Sequence, residues 1–260
     1  MVKKINNQKQ SKILRQNLVN RFVHWTTALS VLLLIITGLG QLPLYTRYNI
    51  TKLPGAEWLG DYFITINLHY LGALGLLFAV SFHIVYAFAR QEFDIFPRKG
   101  DMKESYQIIK AMLTKGKEPA SDKYLAEQRV AYLFIGLSLF LLIATGLIKT
   151  LKNVPGINLP YSLLYWNTAL HNIGTGLIIF GIIGHLGAFL LKENRPLLPG
   201  MFTGSINREY VKHRHSLWYA KLLRKGEINE NHLNLSTQSI KVNSINDNRK
   251  QSDLSKTTSA

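Results

Sequence analysis

The sequence predicts an all-α membrane protein in which four transmembrane helices form a bundle and both termini lie in the cytoplasm. Three observations predict this fold: four long apolar runs, positive charges that alternate with those runs, and histidines placed inside them. The averages conceal the pattern, because 47% of the 260 residues are hydrophobic, only 18% are charged and the mean hydropathy is close to zero. The positions of the apolar residues therefore carry the information.

Each of the four apolar runs is long enough to cross a bilayer as a helix. A hydrocarbon core of about 30 Å requires about 20 helical residues. The predicted helices cover about residues 22–44, 62–89, 130–149 and 161–191. One such run could be a buried soluble helix, but four together favour transmembrane helices. The first run is too long for the apolar part of a secretory signal and lacks a small-residue cleavage site, so we expect it to be retained.

The positive charges define two sides of the membrane. Of the 31 Lys and Arg residues, six precede the first helix, nine lie between the second and third helices, and twelve follow the fourth; the other two loops hold two each. The positive-inside rule therefore predicts that both termini and the loop between helices two and three are cytoplasmic. Topology and contact with anionic lipids thus explain the net charge of +16 better than nucleic-acid binding does.

The chain divides into three predicted regions. Residues 1–20 form a basic cytoplasmic segment, and residues 21–225 form the four-helix domain with a basic cytoplasmic extension. Residues 226–260 are polar and are expected to be disordered. No internal repeat is visible by eye.

Two smaller features lie on the predicted cytoplasmic side. The loop between helices two and three contains a predicted amphipathic helix, Met102 to Thr114. His213 and His215 lie in the basic extension after the fourth helix, where we expect a solvated surface.

Five histidines carry the functional signal. His24, His69, His83, His171 and His185 lie in or at the ends of the apolar runs, where an ionisable side chain is costly and indicates function. The second and fourth runs each carry two histidines 14 residues apart. In a helix this spacing returns to nearly the same face about 21 Å further along the axis. Two imidazoles at two depths fit two haems between the helices, because a low-spin haem takes two axial ligands.

The absence of cysteine narrows the metal chemistry. A disulfide scaffold, a Cys-ligated zinc site and a Cys-ligated iron–sulfur cluster are excluded for this chain. A compact zinc site is also incompatible with the 14-residue separation. Nitrogen or oxygen must therefore hold any metal, and iron–sulfur clusters must come from a partner.

Helix direction assigns the histidines to two depths. The second and fourth helices run inward, so His69 and His171 lie near the outer face and form the natural pair for an outer haem. His185 lies nearer the cytoplasm, where its partner is either His24 or His83. Helix geometry leaves that choice open.

The chain resembles the membrane cytochrome b (gamma) subunit of respiratory formate dehydrogenases. That subunit belongs to a wider family with the cytochrome b subunits of membrane hydrogenases and thiosulfate reductases. The resemblance covers about residues 20–225. It rests on Arg21-Phe22-Val23-His24-Trp25, on Leu68-His69, on Lys123-Tyr124-Leu125-Ala126-Glu127-Gln128-Arg129, on His171 and His185, and on Trp218-Tyr219.

The resemblance implies which histidines ligate haem iron. It implies that His69 and His171 hold an outer haem b, and that His24 and His185 hold an inner haem b. His83 remains the alternative inner ligand.

The resemblance also implies a quinone site beside the inner haem. Menaquinone or ubiquinone would be reduced there, and the matching residues are Gln128, Tyr124 and His185. Leu125 and Glu127 depart from the Asn and Gly of the family pattern at this place.

The implied function is electron transfer, with no formate-oxidising site in this chain. A periplasmic iron–sulfur (beta) subunit with a transmembrane anchor and a molybdenum- or tungsten-containing catalytic (alpha) subunit would supply electrons from formate. These would cross the bacterial cytoplasmic membrane to the quinone pool. The alternatives are a cytochrome b subunit of a hydrogenase or thiosulfate reductase and, more remotely, a non-redox anchor or a proton transporter. A transporter predicts carboxylates inside the helices, and the helix interiors contain none.

Overall fold

Four long helices dominate the structure. The computed structural model describes residues 11–114 and 116–228, so the N-terminal ten residues and most of the predicted polar tail lie outside the described residues. The elements in chain order are β1 (Lys12–Leu14), α1 (Leu18–Gln41), α2 (Leu44–Arg47), α3 (Tyr62–Arg90), α4 (Asp101–Thr114), α5 (Ala126–Leu151), α6 (Tyr161–Gly187), α7 (Pro199–Thr203), β2 (Ser205–Asn207), α8 (Arg208–Arg214) and α9 (Ser216–Arg224). The helices α1, α3, α5 and α6 are long and apolar enough to cross a membrane, which confirms the four predicted spans.

The ends of the spanning helices differ from the predicted ends for local reasons. α1 begins at Leu18, before its apolar run, because the Asn17 side chain accepts a hydrogen bond from the backbone of Asn20 and caps the helix. It ends at Gln41, two residues before Pro43, which cannot donate a backbone hydrogen bond. α5 begins at Ala126, about one turn before its predicted start.

The bundle consists of two antiparallel hairpins. α1 packs along α3, and α5 packs along α6. One buried residue from each of these helices contributes to a shared apolar core: Val31, Leu76, Leu139 and Ile178. Many large apolar side chains on the outer faces are exposed, as expected for surfaces that contact lipid.

The two hairpins are related by an internal repeat. A residue of α1 corresponds to the residue 108 positions later in α5, and a residue of α3 corresponds to the residue 102 positions later in α6. The equivalent residues occupy equivalent structural positions. The pairs are Val31 with Leu139, Leu76 with Ile178, Leu34 with Leu142, Thr37 with Thr145, Gly72 with Gly174, and His69 with His171.

The repeat is not visible by eye in the sequence and emerges only when the structure aligns the two hairpins. The two offsets differ by six residues because the second hairpin has the shorter connection. A comparison of the sequence with itself at any single offset aligns only one helix of each hairpin. Because all spanning helices are rich in the same apolar residues, the identities at that offset do not stand out.

One end of the bundle is closed by a folded unit that we call the basic cap, formed by the described residues of 11–17, 91–125 and 188–228. β1 pairs antiparallel with β2, which joins the segment before α1 to the segment after α6. The cap and the adjoining start of α5 share a separate apolar core. Its buried members are Ile13, Ile108, Met112, Leu125, Ala126, Leu197, Ile206, Val211, Trp218, Tyr219 and Leu222.

A buried ion pair joins the cap to the spanning helices. The guanidinium of Arg129 in α5 donates to both carboxylate oxygens of Asp101 in α4, at 2.7 and 2.6 Å. Both side chains are about 5% exposed. Hydrogen bonds from the Arg129 guanidinium hold the pKa of Asp101 below its usual range. The predicted amphipathic helix thus exists as α4 and is anchored by this pair.

Candidate haem-binding site

Two histidines far from the cap are held by matching contacts. Thr37 Oγ1 lies 2.9 Å from Nδ1 of His69, and Thr145 Oγ1 lies 2.8 Å from Nδ1 of His171. The two histidines occupy equivalent positions of the repeat, one on α3 and the other on α6. We call His69 and His171 the distal pair.

The threonine hydroxyls determine which ring nitrogen of each distal histidine carries the proton. Each hydroxyl also lies 2.7 Å from a carbonyl of the preceding turn, that of Leu33 or Leu141, to which it donates. Its oxygen then accepts the Nδ1–H of the histidine, which leaves the lone pair on Nε2. This is the tautomer in which an imidazole binds a metal through Nε2, with its orientation fixed from the other side.

Sequence reasoning missed the two threonines, although a signal was present. The tripeptide Thr-Gly-Leu begins at Thr37 in the first apolar run and at Thr145 in the third, and a further copy begins at Thr175 in the fourth. The glycines of the first two copies lie against the distal histidines. A Cβ at Gly38 would stand 3.3 Å from Cε1 of His69, and a Cβ at Gly146 would stand 3.7 Å from Cε1 of His171.

A second pair lies at the end of the bundle next to the cap. The ring centroids of His24 and His185 are 6.2 Å apart, and their planes are inclined by 52°. Two imidazoles that ligate one metal from opposite sides, with bonds of about 2 Å, have centroids roughly 6 Å apart. The ring that lies against His185 is therefore that of His24, at a separation that suits a shared iron. We call these residues the cap-side pair.

Two hydrogen bonds fix the start of α1 and so the position of the cap-side pair. Trp25 Nε1 donates to the carbonyl of Met201 at 3.0 Å, and Arg21 Nη1 donates to the carbonyl of Phe202 at 2.5 Å. Both carbonyls belong to α7, which follows α6 in the chain. The helix that carries His24 is thus attached to the segment that follows the helix of His185.

His83 has a different partner. Its Nε2 lies 2.9 Å from the phenol oxygen of Tyr132, and the two ring centroids are 6.1 Å apart. The repeat relates Tyr132 to His24 and His83 to His185. The His83–Tyr132 pair is thus the repeat equivalent of the cap-side pair.

The two residues implied as quinone contacts at the start of α5 form hydrogen bonds within the cap. Gln128 Oε1 accepts from Nη2 of Arg15 at 2.8 Å and from the backbone of Leu125 at 3.3 Å. The phenol of Tyr124 lies 3.2 Å from the side-chain amide nitrogen of Gln16. These bonds attach the segment before α1 to the start of α5, as a helix-capping role requires.

His215 is fully buried in the cap, so the expectation of a solvated His215 is wrong. Its Nδ1 lies 2.7 Å from the carbonyl of Asp122. Burial, with Arg15 and Arg214 nearby, lowers its pKa to about 4. The packing of α9 against a loop some 90 residues earlier gave no local sequence signal, whereas His213 in α8 is exposed as expected.

The donor set suits haem. Among the described residues, no three or more His, Cys, Asp or Glu side chains lie close enough together to hold a metal ion. Haem needs only two axial ligands from the protein, because the porphyrin supplies the rest.

Comparison with known proteins defines the class to which this fold and site belong. The model of the prokaryotic cytochrome b561 family matches residues 15–204, and the chain belongs to that family. It is therefore a cytochrome b561-type membrane electron-transfer subunit, and membership in a cytochrome b family implies haem b.

Curated relatives point to a particular kind of subunit. The chain is 23% identical over 218 residues to the cytochrome b556(Fdn) subunit of the nitrate-inducible formate dehydrogenase of Escherichia coli K12, which covers 82% of this chain and 93% of the relative. The same subunits of Escherichia coli O157:H7 and Shigella flexneri match to the same extent.

Proposed function

We propose that this chain is the dihaem cytochrome b subunit of a formate dehydrogenase complex and passes electrons across the membrane to quinone. The observation that carries the proposal is the presence of two histidine pairs at two levels of one bundle. The distal pair would hold one haem b through His69 and His171, and the cap-side pair would hold the other through His24 and His185. His83 is the alternative cap-side ligand.

The protein contributes ligand orientation and tautomer control. Haem bound at the two levels would supply one-electron carriers across the thickness of the bilayer. Thr37 and Thr145 keep the Nε2 lone pairs of the distal pair available by accepting the protons on Nδ1. The Arg21 and Trp25 contacts hold the start of α1 so that His24 stays against His185.

The charge distribution supports an orientation with the cap in the cytoplasm. Of the 31 Lys and Arg residues, 27 lie in the segments before α1, between α3 and α5 and after α6, or at the adjoining helix ends. The described parts of these segments form the cap. The positive-inside rule therefore favours a cytoplasmic location for the cap and for both termini. The distal pair then lies nearer the periplasm of a bacterial cytoplasmic membrane.

The relatives are cytochrome subunits of formate dehydrogenases, which supports the partners that the resemblance implies for this chain. We infer an iron–sulfur (beta) subunit with its own transmembrane anchor and a molybdenum- or tungsten-containing catalytic (alpha) subunit on the periplasmic side. The electron acceptor is menaquinone or ubiquinone at the cap side, near His185, with Tyr124 and Gln128 as candidate contacts. The alternative is the same cytochrome serving a membrane hydrogenase or a thiosulfate reductase.

Spectroscopy of native membranes tests the proposal. Formate, hydrogen or quinol is added to anaerobic membranes that contain the chain with its partners, and the b-type absorbance is followed. Formate is expected to reduce the haem, and added quinone is expected to reoxidise it. Reduction by hydrogen alone would identify a hydrogenase subunit, and reduction by quinol with reoxidation by thiosulfate would identify a thiosulfate reductase subunit.

A further inference from the structure

We propose that His83 and Tyr132 bind the headgroup of the quinone. The inference rests on the proposed function and adds the side chains that would hold its electron acceptor. Three features of the structure support it: the level of this pair in the bundle, its unmet hydrogen-bonding capacity, and the aromatic side chains beside it.

The pair lies at the level of the cap-side histidines. The repeat relates Tyr132 to His24 and His83 to His185, so both pairs occupy the same layer on different helix pairs of the bundle. A tyrosine in place of the second histidine replaces an imidazole lone pair with a neutral phenol, which is a hydrogen-bond donor at neutral pH. The pair on α3 and α5 therefore suits hydrogen bonding to a ligand, and the pair on α1 and α6 suits metal ligation.

The His83–Tyr132 pair has one donor left over in either tautomer. If the phenol donates to Nε2 of His83, the proton on Nδ1 has no acceptor; if Nε2–H donates to the phenol oxygen, the phenol O–H is free and Nδ1 is an unpaired acceptor. Within the described residues, Nδ1 of His83 is buried and has no hydrogen-bond partner. A buried unpaired polar atom is costly. A quinone carbonyl accepts the free donor, and a quinol hydroxyl can donate to the free acceptor.

Aromatic rings connect the pair to the outer surface of the bundle. Tyr132 contacts Phe96 edge to face with centroids 5.5 Å apart, Phe96 contacts Phe93 at 5.6 Å, and Phe93 contacts Phe88 at 5.4 Å. Phe88 is 64% exposed on α3, on the lipid-facing side of the helix. Such a path fits a flat, apolar headgroup with an isoprenoid tail in the lipid.

The step served by this site balances simply. One quinone takes two electrons, delivered singly from haem reduced by the donor complex, and two protons from the aqueous phase on the cap side, and it leaves as one quinol. In this scheme His83 and Tyr132 hold the carbonyl oxygen that becomes a hydroxyl.

Three variants of the full chain, with haem bound and embedded in lipid nanodiscs, test the inference. Tyr132→Phe and His83→Gln remove one partner each. Tyr70→Phe is the matched control, because it removes a phenol of the same helix α3 that accepts from Asn153 at 3.1 Å at the end far from the cap. The haems are reduced with dithionite, the excess is removed, and reoxidation by decylubiquinone or menadione is followed by stopped flow. A photoreactive azidoquinone, mapped by mass spectrometry, reports the binding place without relying on turnover.

The expected result is an increase in the quinone KM of about 10-fold for Tyr132→Phe and His83→Gln, with haem content unchanged and Tyr70→Phe at the wild-type value. The azidoquinone label is expected on peptides that contain His83 or Tyr132. Wild-type kinetics in both variants, or labelling confined to residues 123–128, would overturn the inference. Loss of one haem in His83→Gln would also overturn it, since His83 would then be a ligand. A wild-type chain without any b-type haem would instead refute the proposed function.

Discussion

Thr145 Oγ1 lies 2.8 Å from Nδ1 of His171, and the repeat places Thr37 on His69 in the same way. This recurrence means that both halves of the chain present a histidine with a defined tautomer to the same level of the bundle. The hydroxyl acts on the side of the ring opposite to the metal-binding nitrogen. It is therefore expected to tune the ligand as well as to hold it.

Removing this hydroxyl tests its effect on the distal haem. We expect Thr145→Val to weaken haem binding by about 10- to 100-fold, because the Nδ1–H of His171 loses its acceptor and the ring loses its fixed orientation. The midpoint potential of that haem should rise, since the imidazole donates less electron density to the ferric iron. Haem titration and redox potentiometry measure both effects. Thr150→Val is the control, because Thr150 bonds only the carbonyl of Gly146 in its own helix; equal effects of both variants would contradict the prediction.

Gly38 and Gly146, which follow Thr37 and Thr145, differ in the free space beside them. Gly38→Ala places a methyl group 3.3 Å from Cε1 of His69, which is too close, so the ring must move; Gly146→Ala places it 3.7 Å from Cε1 of His171, an ordinary contact. We expect Gly38→Ala to lower the affinity for the distal haem and Gly146→Ala to leave it near the wild-type value. Haem titration measures the affinity of each variant. A larger loss of affinity in Gly146→Ala than in Gly38→Ala would contradict the prediction.

The choice of cap-side ligand can be tested by deletion. His24→Ala is expected to lose one haem per chain, because His24 lies against His185. His83→Ala is expected to retain both, because His83 bonds Tyr132 instead. The haem content of each purified variant is measured by the pyridine haemochrome spectrum. If only His83→Ala loses haem, the assignment of His24 is wrong.

The buried Arg129–Asp101 pair should dominate the attachment of α4 to the bundle. Asp101→Asn removes the buried charge partner of the guanidinium and leaves only the partly exposed Glu104, at 3.8 Å. The expected cost approaches the roughly 3–5 kcal/mol of a broken buried ion pair. Asp94→Asn is the control, since Asp94 pairs with Arg98 at 3.7 Å on the exposed surface, where an ion pair contributes about 0–1 kcal/mol. Hydrogen exchange of the α4 amides reports the difference, and similar protection in the two variants would contradict it.

The pKa of Asp101 adds a pH dependence to that attachment. Hydrogen bonds from Arg129 lower the pKa of Asp101 in the folded protein, so the stabilisation is fully present above the carboxyl pKa of the unfolded chain, about 4. It is lost as the pH falls through the lower folded value. In the wild-type chain the protection of the α4 amides against hydrogen exchange is expected to fall below about pH 4. In Asp101→Asn it is expected not to change in that range.

His215 should make the cap sensitive to mildly acidic pH. Burial lowers its pKa to about 4 in the folded protein, whereas an unfolded histidine has a pKa of about 6.5. The unfolded chain therefore binds more protons in this window, and the cap loses roughly 3 kcal/mol as the pH falls through it. Exchange of the α9 amides between pH 7 and 4 measures the loss. His215→Gln should flatten the profile and His213→Gln, at an exposed site, should leave it unchanged; a flat wild-type profile would contradict the prediction.

The sequence predicts the spanning helices well because bilayer thickness sets a length that each apolar run must meet. The 14-residue spacing likewise placed His69 and His83 at two levels, since helix geometry fixes both rise and rotation. The same reasoning left the partner of His185 open, because it does not tell which helices are neighbours. In the structure the ring of His24 lies against that of His185, which supports His24 as the partner that we propose.

The cap and the threonine contacts could not be predicted in the same way. Ile13, Ile206 and Val211 pack together across nearly 200 residues, and each comes from a short element without a long apolar pattern. Thr37 and His69 lie on different helices, so their contact depends on the rotation of each helix about its axis. Only the repeated tripeptide hinted at it.

The most direct measurement is the number of haem b molecules per chain. The full chain is expressed with haem supplementation, purified in lipid nanodiscs, and assayed by pyridine haemochrome against protein concentration from amino-acid analysis. We predict two b-type haems per chain, one lost in His69→Ala or His171→Ala and the other in His24→Ala or His185→Ala. A wild-type chain with one haem or none would contradict the assignment of two ligand pairs.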